Sequence, residues 1–497
     1  MNRMDGGTTR AGSARTSLVL RQLHVLQEGN LHRNQRQFGS RRLLAVAALS
    51  LFVLAACNGN STTSTTSNVI KIGILSDCLG DFGSFYNDDL GGALAVLAAH
   101  YGGKASGSKP SDGMTGAKIA GKDINIVGFG CSDSTANKAI EETRRLVEQL
   151  GADIMIGPLS GDEGIAVANY AKTQPNKTFL NGISGAQDAT LKVQAPNFFR
   201  FNPDGAQWSS GLGDYAYNKL HWRTAAVIGD DYAFPYTSLA GFIAEFCSIG
   251  GSIPNSNRIW PPLGTTDYSS FVTQIPKGVD GLFVGVGGAG LITFLKQYQQ
   301  LNGPLNTQHI MGNTFWPDPQ LLKAIGTPMV GAVAASGIAG DATFAQTAAY
   351  KQELAIYPAT QADAASVFTL GYWSAMTALG QALTAVNGDL SNNQKALQAA
   401  LATTVVQGPY GKISLDSNRQ AVFDNWIVQI TAPPSGSNVP GIKTVLRVPK
   451  VDQTFGGFFS PSTPAPSRTD PTCTKKTPPP WVGNETPVDF STGNVPY

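Results

Sequence analysis

Short apolar runs, each followed by a loop and then by helical spacing, recur along this chain. That alternation restricts its fold more than any other feature. The first run is Val-Ile-Lys-Ile-Gly-Ile-Leu at 69–75, of strand length, closed by Ser76-Asp77-Cys78-Leu79-Gly80. Leu90, Leu94 and Leu97 follow at helical spacing between about Asp88 and His100. The spacing predicts further strands at Ile124–Phe129, Asp153–Gly157 and Thr178–Leu180, with helices at Ser134–Leu150 and near Asp162–Lys172. Such repeats build a parallel sheet covered on both faces by helices.

A second series starts after Phe198-Phe199-Arg200-Phe201, with a helix near Ala206–Lys219. Strands are expected at Thr224–Gly229, Gly281–Val286 and His309–Gly312, and helices up to about Cys247 and at Leu291–Tyr298. The break near residues 190–200 makes two similar sheets the natural reading. Long helices return at about Phe344–Ile356 and Ala362–Val386, and strand-like pieces at Lys412–Leu415 and Trp426–Ile430 close the folded part. From about Thr454 the chain is rich in Pro, Ser and Thr and reads as an irregular tail, pinned by Cys473 if that residue is bridged.

Upstream of the first strand, Arg41-Arg42 precede a 14-residue apolar run, Leu43–Ala56, ending at Cys57 and the polar stretch Asn58–Ser67. A basic flank, a short apolar core and small residues before a cut are the parts of a secretory signal. A spanning helix needs about 20 residues, so a membrane helix is the weaker alternative. Leu54-Ala55-Ala56-Cys57 resembles a bacterial lipobox. That resemblance implies lipid attachment at Cys57, with 1–56 a leader and 57–68 a flexible tether. The chain is then expected to be extracytoplasmic and lipid-anchored to the bacterial cell membrane. The basic, aperiodic stretch before residue 41 reads either as an unusually long cytoplasmic n-region or, the favoured reading, as a start codon assigned too early.

About 440 residues remain after Ala56, enough for two lobes. Only 14% of residues are charged and the net charge is +2, which argues against a nucleic-acid partner. Besides Cys57 there are Cys78, Cys131, Cys247 and Cys473, an even number for an oxidising compartment. Four cysteines allow three pairings, which the sequence leaves open.

In open parallel sheets, ligands bind at the carboxyl ends of the strands. The loops there are Ser76–Gly80, Pro158–Gly161, Gly182–Gly185, Asp230–Tyr236, Gly285–Gly290 and Asn313–Trp316, rich in Gly, Ser, Asn and aromatics. Ser160 and Gly161 precede a predicted helix, where free N–H groups and a hydroxyl can hold a carboxylate. The competing role for Ser160 is an ordinary helix cap. Asp162 and Glu163 suit the helix dipole but would repel an anion if they faced the cleft.

From about 69 to 430 the chain resembles the type I periplasmic binding proteins, and among them the branched-chain amino-acid receptors of ABC transporters. The resemblance is carried by Ile-Lys-Ile-Gly-Ile-Leu (70–75) and Gly-Ala-Asp-Ile-Met-Ile-Gly-Pro-Leu-Ser (151–160). Further along it is carried by Gly229-Asp230-Asp231-Tyr232, Thr266-Asp267-Tyr268-Ser269-Ser270-Phe271 and Gly408-Pro409-Tyr410-Gly411-Lys412-Ile413. It implies an α/β fold of two Rossmann-like lobes, parallel sheets flanked by helices, joined by a three-crossover hinge that closes on ligand. Lobe one would be 69–190 plus 341–402, lobe two 191–340 plus 403–450, and 451–497 the tail.

The resemblance also implies ligand contacts. Ser160 and Gly161 match the carboxylate-holding loop, and Ser184 and Gly185 the loop that completes it. Tyr232 matches a covering aromatic of the second lobe and Tyr372 a cleft aromatic of the first, although both could simply pack in cores. Asn313 or Thr314 stands where such receptors commonly place an acid for the ligand ammonium. That acid is missing, which counts against an α-amino acid unless Asp231 or Asp318 substitutes. Gly287 and Gly288 stand where an aromatic can occur, suggesting a roomier pocket. In a doubly wound sheet the loops after the first two strands can be neighbours. Cys78–Cys131 is therefore the preferred bridge, and Cys247–Cys473 would tie the tail to lobe two.

No catalytic constellation stands out. His100, His221 and His309 show no metal-ligand spacing, and no Gly-x-Ser-x-Gly elbow follows a strand. Neither cofactor nor metal is expected. The expected function is a solute-binding lipoprotein that carries a small polar ligand (amino acid, amide or related metabolite) to the permease of an ABC importer. The alternative is a ligand-sensing receptor domain signalling to a membrane partner; an extracytoplasmic enzyme is a third reading. A single undivided sheet, or a gap between lobes plugged by packed apolar side chains, would end this scheme.

Overall fold

The computed structural model describes residues 68–336, 345–358, 361, 363, 366–409 and 411–488. The leader, the lipidation expected at Cys57, the tether up to Ser67, and Tyr410 lie outside the described residues.

The first strand shows how the sequence builds the sheet. Side chains alternate across a strand, and Val69–Asp77 sends Ile70, Ile72 and Ile74 into one core with Leu90, Leu94 and Leu97 of the Tyr86–Tyr101 helix. Leu75 points the other way, into a second core with Leu146, Met155 and Val167. Helices therefore cover both faces. The strand order of this sheet is Lys118–Ile119, Lys122–Ser132, Val69–Asp77, Ile154–Ile156, Thr178–Leu180, Phe198–Phe199. All pairings are parallel except that of the short Lys118–Ile119 edge.

A second, separate sheet runs Arg258–Ile259, Ala225–Gly229, Gly281–Gly285, Ile310–Gly312, Val333–Ser336, and continues into antiparallel Ala421–Thr431, Gly411–Leu415 and Val406–Gly408. Between Val333–Ser336 and Val406–Gly408 the chain returns to the first half. There the Val367–Ala385 helix packs along Tyr86–Tyr101, and Tyr372 Oη donates to Leu75 O at 2.6 Å. The chain thus passes between the halves three times. Near the first and last crossings the Arg200 guanidinium, fully buried, donates to Ser184 O, Ala186 O, Thr190 Oγ1 and Gln420 Oε1.

Two expected boundaries need correction. Phe198–Phe199 belongs to the first sheet, not to a second lobe beginning at 191, because Phe179 and Leu180 pair with these residues. The folded part also does not close at Ile430. Gly441–Val451 pairs antiparallel with Ala421–Thr431, and Thr486–Pro487 pairs in turn with it. Between these strands the tail has no strand or helix period, yet its aromatics bury. Phe455, Phe459 and Trp481 join the core, and Trp481 Nε1 donates to Glu245 Oε2 at 2.8 Å. Disulfides join Cys78 to Cys131 and Cys247 to Cys473. Arg468 pairs with Asp231, and Lys192 donates to Pro461 O at 3.3 Å. Among the described residues no helix is long and apolar enough to cross a membrane.

Candidate functional site: the cleft between the lobes

The strand-end loops of the two sheets face each other across one gap. From the first lobe come Leu159, Gly161, Ile183 and Gly185, with Val367 and Phe368 from the start of the long helix. From the second come Trp208, Tyr232, Phe234, Thr314 and Phe315. They enclose about 20 Å³, room for about one water molecule.

Aromatic rings from both halves fill the rest. Phe234 stands edge-on to Phe315 (centroids 5.3 Å apart, 84°) and to Trp208 (6.2 Å, 74°). Phe82, carried by the Gly80–Phe85 turn of the first lobe, lies nearly parallel to Phe315 at 5.8 Å and 12°, and 6.2 Å from Tyr232. The two lobes touch so closely that glycine is required. A Cβ on Gly161 would lie 2.6 Å from Phe234 N, and one on Gly185 the same distance from Phe234 Cδ2. The roomier pocket expected from Gly287 and Gly288 is not there, since a Cβ on Gly288 would meet Asp81 O at 2.6 Å and the Phe82 ring at 3.0 Å. The gap is thus largely filled by apolar rings, as one of the contrary conditions above requires. The filling differs from a fused core in one respect. Two residues bordering it, Thr314 and Trp208, keep an unpaired Oγ1 and Nε1 although each is only 2% exposed.

The eight expected ligand contacts divide. Gly161, Gly185, Tyr232 and Thr314 border the cavity; Ser160, Ser184, Asn313 and Tyr372 do not. Ser160 is spent on a capping box with Glu163, and its hydroxyl donates to Ser134 O at 3.3 Å. Ser184 Oγ points at the Gly164 face of the neighbouring helix. Asn313 Oδ1 accepts from Phe315 N at 3.1 Å, and Tyr372 is bound to Leu75 as described. Neither substitute acid is available for an ammonium. Asp231 is held by Arg468 and Tyr236, while Asp318 caps the Pro319–Ile325 helix and accepts from Ser366 Oγ at 2.8 Å.

Acids surround the cleft, several held toward the neutral form. Burial pushes Asp230 up to about 8, against a hydrogen bond from Gly287 N at 3.0 Å. Burial also raises Asp77 and Glu163, which share one hydrogen-bonded site; Ser132 donates to Asp77 at 2.8 Å. The Tyr232 hydroxyl is raised by burial and by the carboxyls of Asp230, Asp162, Asp77 and Asp81.

This geometry, two α/β halves meeting at their strand ends, has known counterparts. A profile of the family described as "Periplasmic binding protein" matches residues 69–437. The chain belongs to that family. No curated protein sequence matches this binding protein significantly. Among solved structures it is similar to an ABC transporter substrate-binding protein from Sphaerobacter thermophilus (21% identity, TM-score 0.64, covering 78% of this chain and 99% of that one). It is also similar to a solute-binding protein of R. palustris in complex with benzoate (22%, 0.63, 76% and 97%). A third is the leucine-binding protein LivK of Thermotoga maritima (16%, 0.60, 76% and 99%). At these identities the likeness establishes the type I periplasmic-binding-protein fold.

Reasoning from the sequence missed Phe82, Phe234, Phe315, Phe368 and Trp208. A signal existed for two of them, since Phe315 stands in a strand-end loop and Phe234 in the first turn of the Ala233–Ser248 helix that such a loop opens.

Proposed function

We propose that this chain is the solute-binding lipoprotein of an ABC importer. It holds a small solute between its lobes and presents the closed form to a membrane permease. The observation that carries the reading is that the strand-end loops of two separate sheets meet across a single gap whose glycines permit direct lobe-to-lobe contact. A hinge of three strands of chain lets such lobes part, and a ligand favours closure by touching both at once. Among the described residues that border the cavity none is charged, which favours a solute other than an α-amino acid. Cys57 carries the lipid that keeps the protein at the membrane surface, and the protein performs no catalysis. In the test, purified protein is melted with amides, aromatic acids, short peptides and amino acids. A ligand-dependent rise in Tm is expected for at least one class other than the amino acids. No rise with any of them refutes the carrier reading. Cys57→Ala should move the protein from the membrane fraction to the soluble one.

A further inference from the structure

The cavity wall is aromatic and aliphatic, and among the described residues that border it none is charged. A carboxylate entering this space would lose its hydration with no cation to receive it, a large cost for an unpaired ion. Arg200 reaches the back of the Ser184–Ala186 loop, but its donors are taken by carbonyls, Thr190 and Gln420, and Asp204 lies 3.7 Å away. Two polar groups of wall residues have no partner within the fold. Thr314 is 2% exposed and its Oγ1 has no partner; Trp208 Nε1, on a neighbouring wall residue, is likewise unpaired. A buried donor left unpaired costs stability, so a ligand that pairs it gains by doing so.

We propose that the cleft selects an uncharged, ring-sized ligand carrying one oxygen acceptor, with the Thr314 hydroxyl as its hydrogen-bond anchor and the Phe234, Phe315 and Tyr232 rings as its walls. This rests on the carrier reading above and names its substrate class. Phe82 of the first lobe stacks on Phe315, one of these walls. A cavity that admits benzene is on the order of 150 Å³, against the 20 Å³ enclosed here. Entry therefore requires the lobes to part and Phe82 to withdraw with the first lobe, which couples binding to the hinge.

The test is calorimetric titration of the mature protein with four probes of one ring size: benzamide, benzyl alcohol, benzoate and benzyltrimethylammonium. The two neutral probes are expected to bind about tenfold or more tightly than either ion. Thr314→Val should weaken benzamide by about 3- to 10-fold, the size of one net hydrogen bond. The same variant without ligand should melt no lower than the parent, since it removes an unpaired buried hydroxyl; a lower Tm would mean the hydroxyl is already used within the fold and overturns its role. Preference for benzoate or for the quaternary cation, or unchanged benzamide affinity in Thr314→Val, overturns the proposal. So does failure of all four probes to bind. In that case a Tm rise with another solute in the wider panel leaves the carrier reading standing, and its absence removes both.

Discussion

Gly161→Ala tests whether the lobes meet as described. Gly161 opens the Gly161–Lys172 helix of the first lobe, and its α-carbon faces the backbone of Phe234 in the second. An added methyl would sit 2.6 Å from Phe234 N and 3.1 Å from Phe234 Cβ. Ordinary contact begins near 3.4 Å, so the lobes must separate by nearly 1 Å at this point. Neither partner can swing aside, since one is backbone and the other is fixed to it. Overpacking of this kind costs about 1–3 kcal/mol. If the cost falls on the closed form alone, the closing equilibrium shifts by about 5- to 150-fold. Within its own helix alanine is no worse than glycine, so the melting of the first lobe should not suffer. Small-angle scattering of the ligand-free protein is the assay. The variant should show a larger radius of gyration than the parent, with an unchanged circular dichroism spectrum. A scattering curve identical to that of the parent would refute the contact, and with it the account of the cleft.

Three further outcomes are expected. Asp230 is an acid whose folded pKa is raised, from 3.8 to about 8. Its contribution to stability is therefore full below about pH 4 and is lost as pH rises toward 8, so Asp230→Asn should flatten the fall in urea midpoint between pH 5 and pH 8. Trp481→Phe leaves the buried Glu245 short of one of its donors and should cost about 1–3 kcal/mol of unfolding free energy in urea. Cys473→Ala opens a loop of 226 residues, worth about 5 kcal/mol in the chain-entropy view, and should lower the Tm and render the 452–488 segment sensitive to protease.

Much of the lobe architecture is legible in the chain because it depends on local period. Val69–Leu75 appears as Val69–Asp77, Ile124–Phe129 lies within Lys122–Ser132, and Asp153–Gly157 contains Ile154–Ile156. The capping role of Ser160 is also written locally, in Ser160 and Glu163 three positions apart. The cleft is less legible because its walls come from distant parts of the chain. Phe82 reaches Phe315, more than two hundred residues away, only after both sheets have formed and the halves have met. No spacing within either segment records that meeting. The tail hides for a different reason: Trp481 follows three prolines, Phe455 precedes two glycines and neither follows a period, so composition suggests an irregular path but not where it rests.

The strand at Gly441–Val451 is the outermost long strand of its sheet, and the two-residue pairing at Thr486–Pro487 lies along its free side. Unpaired strand edges recruit strands from other molecules. Removing the pairing at Thr486–Pro487 would bare this edge, so a chain cut after residue 451 should self-associate more than the intact chain in size-exclusion chromatography.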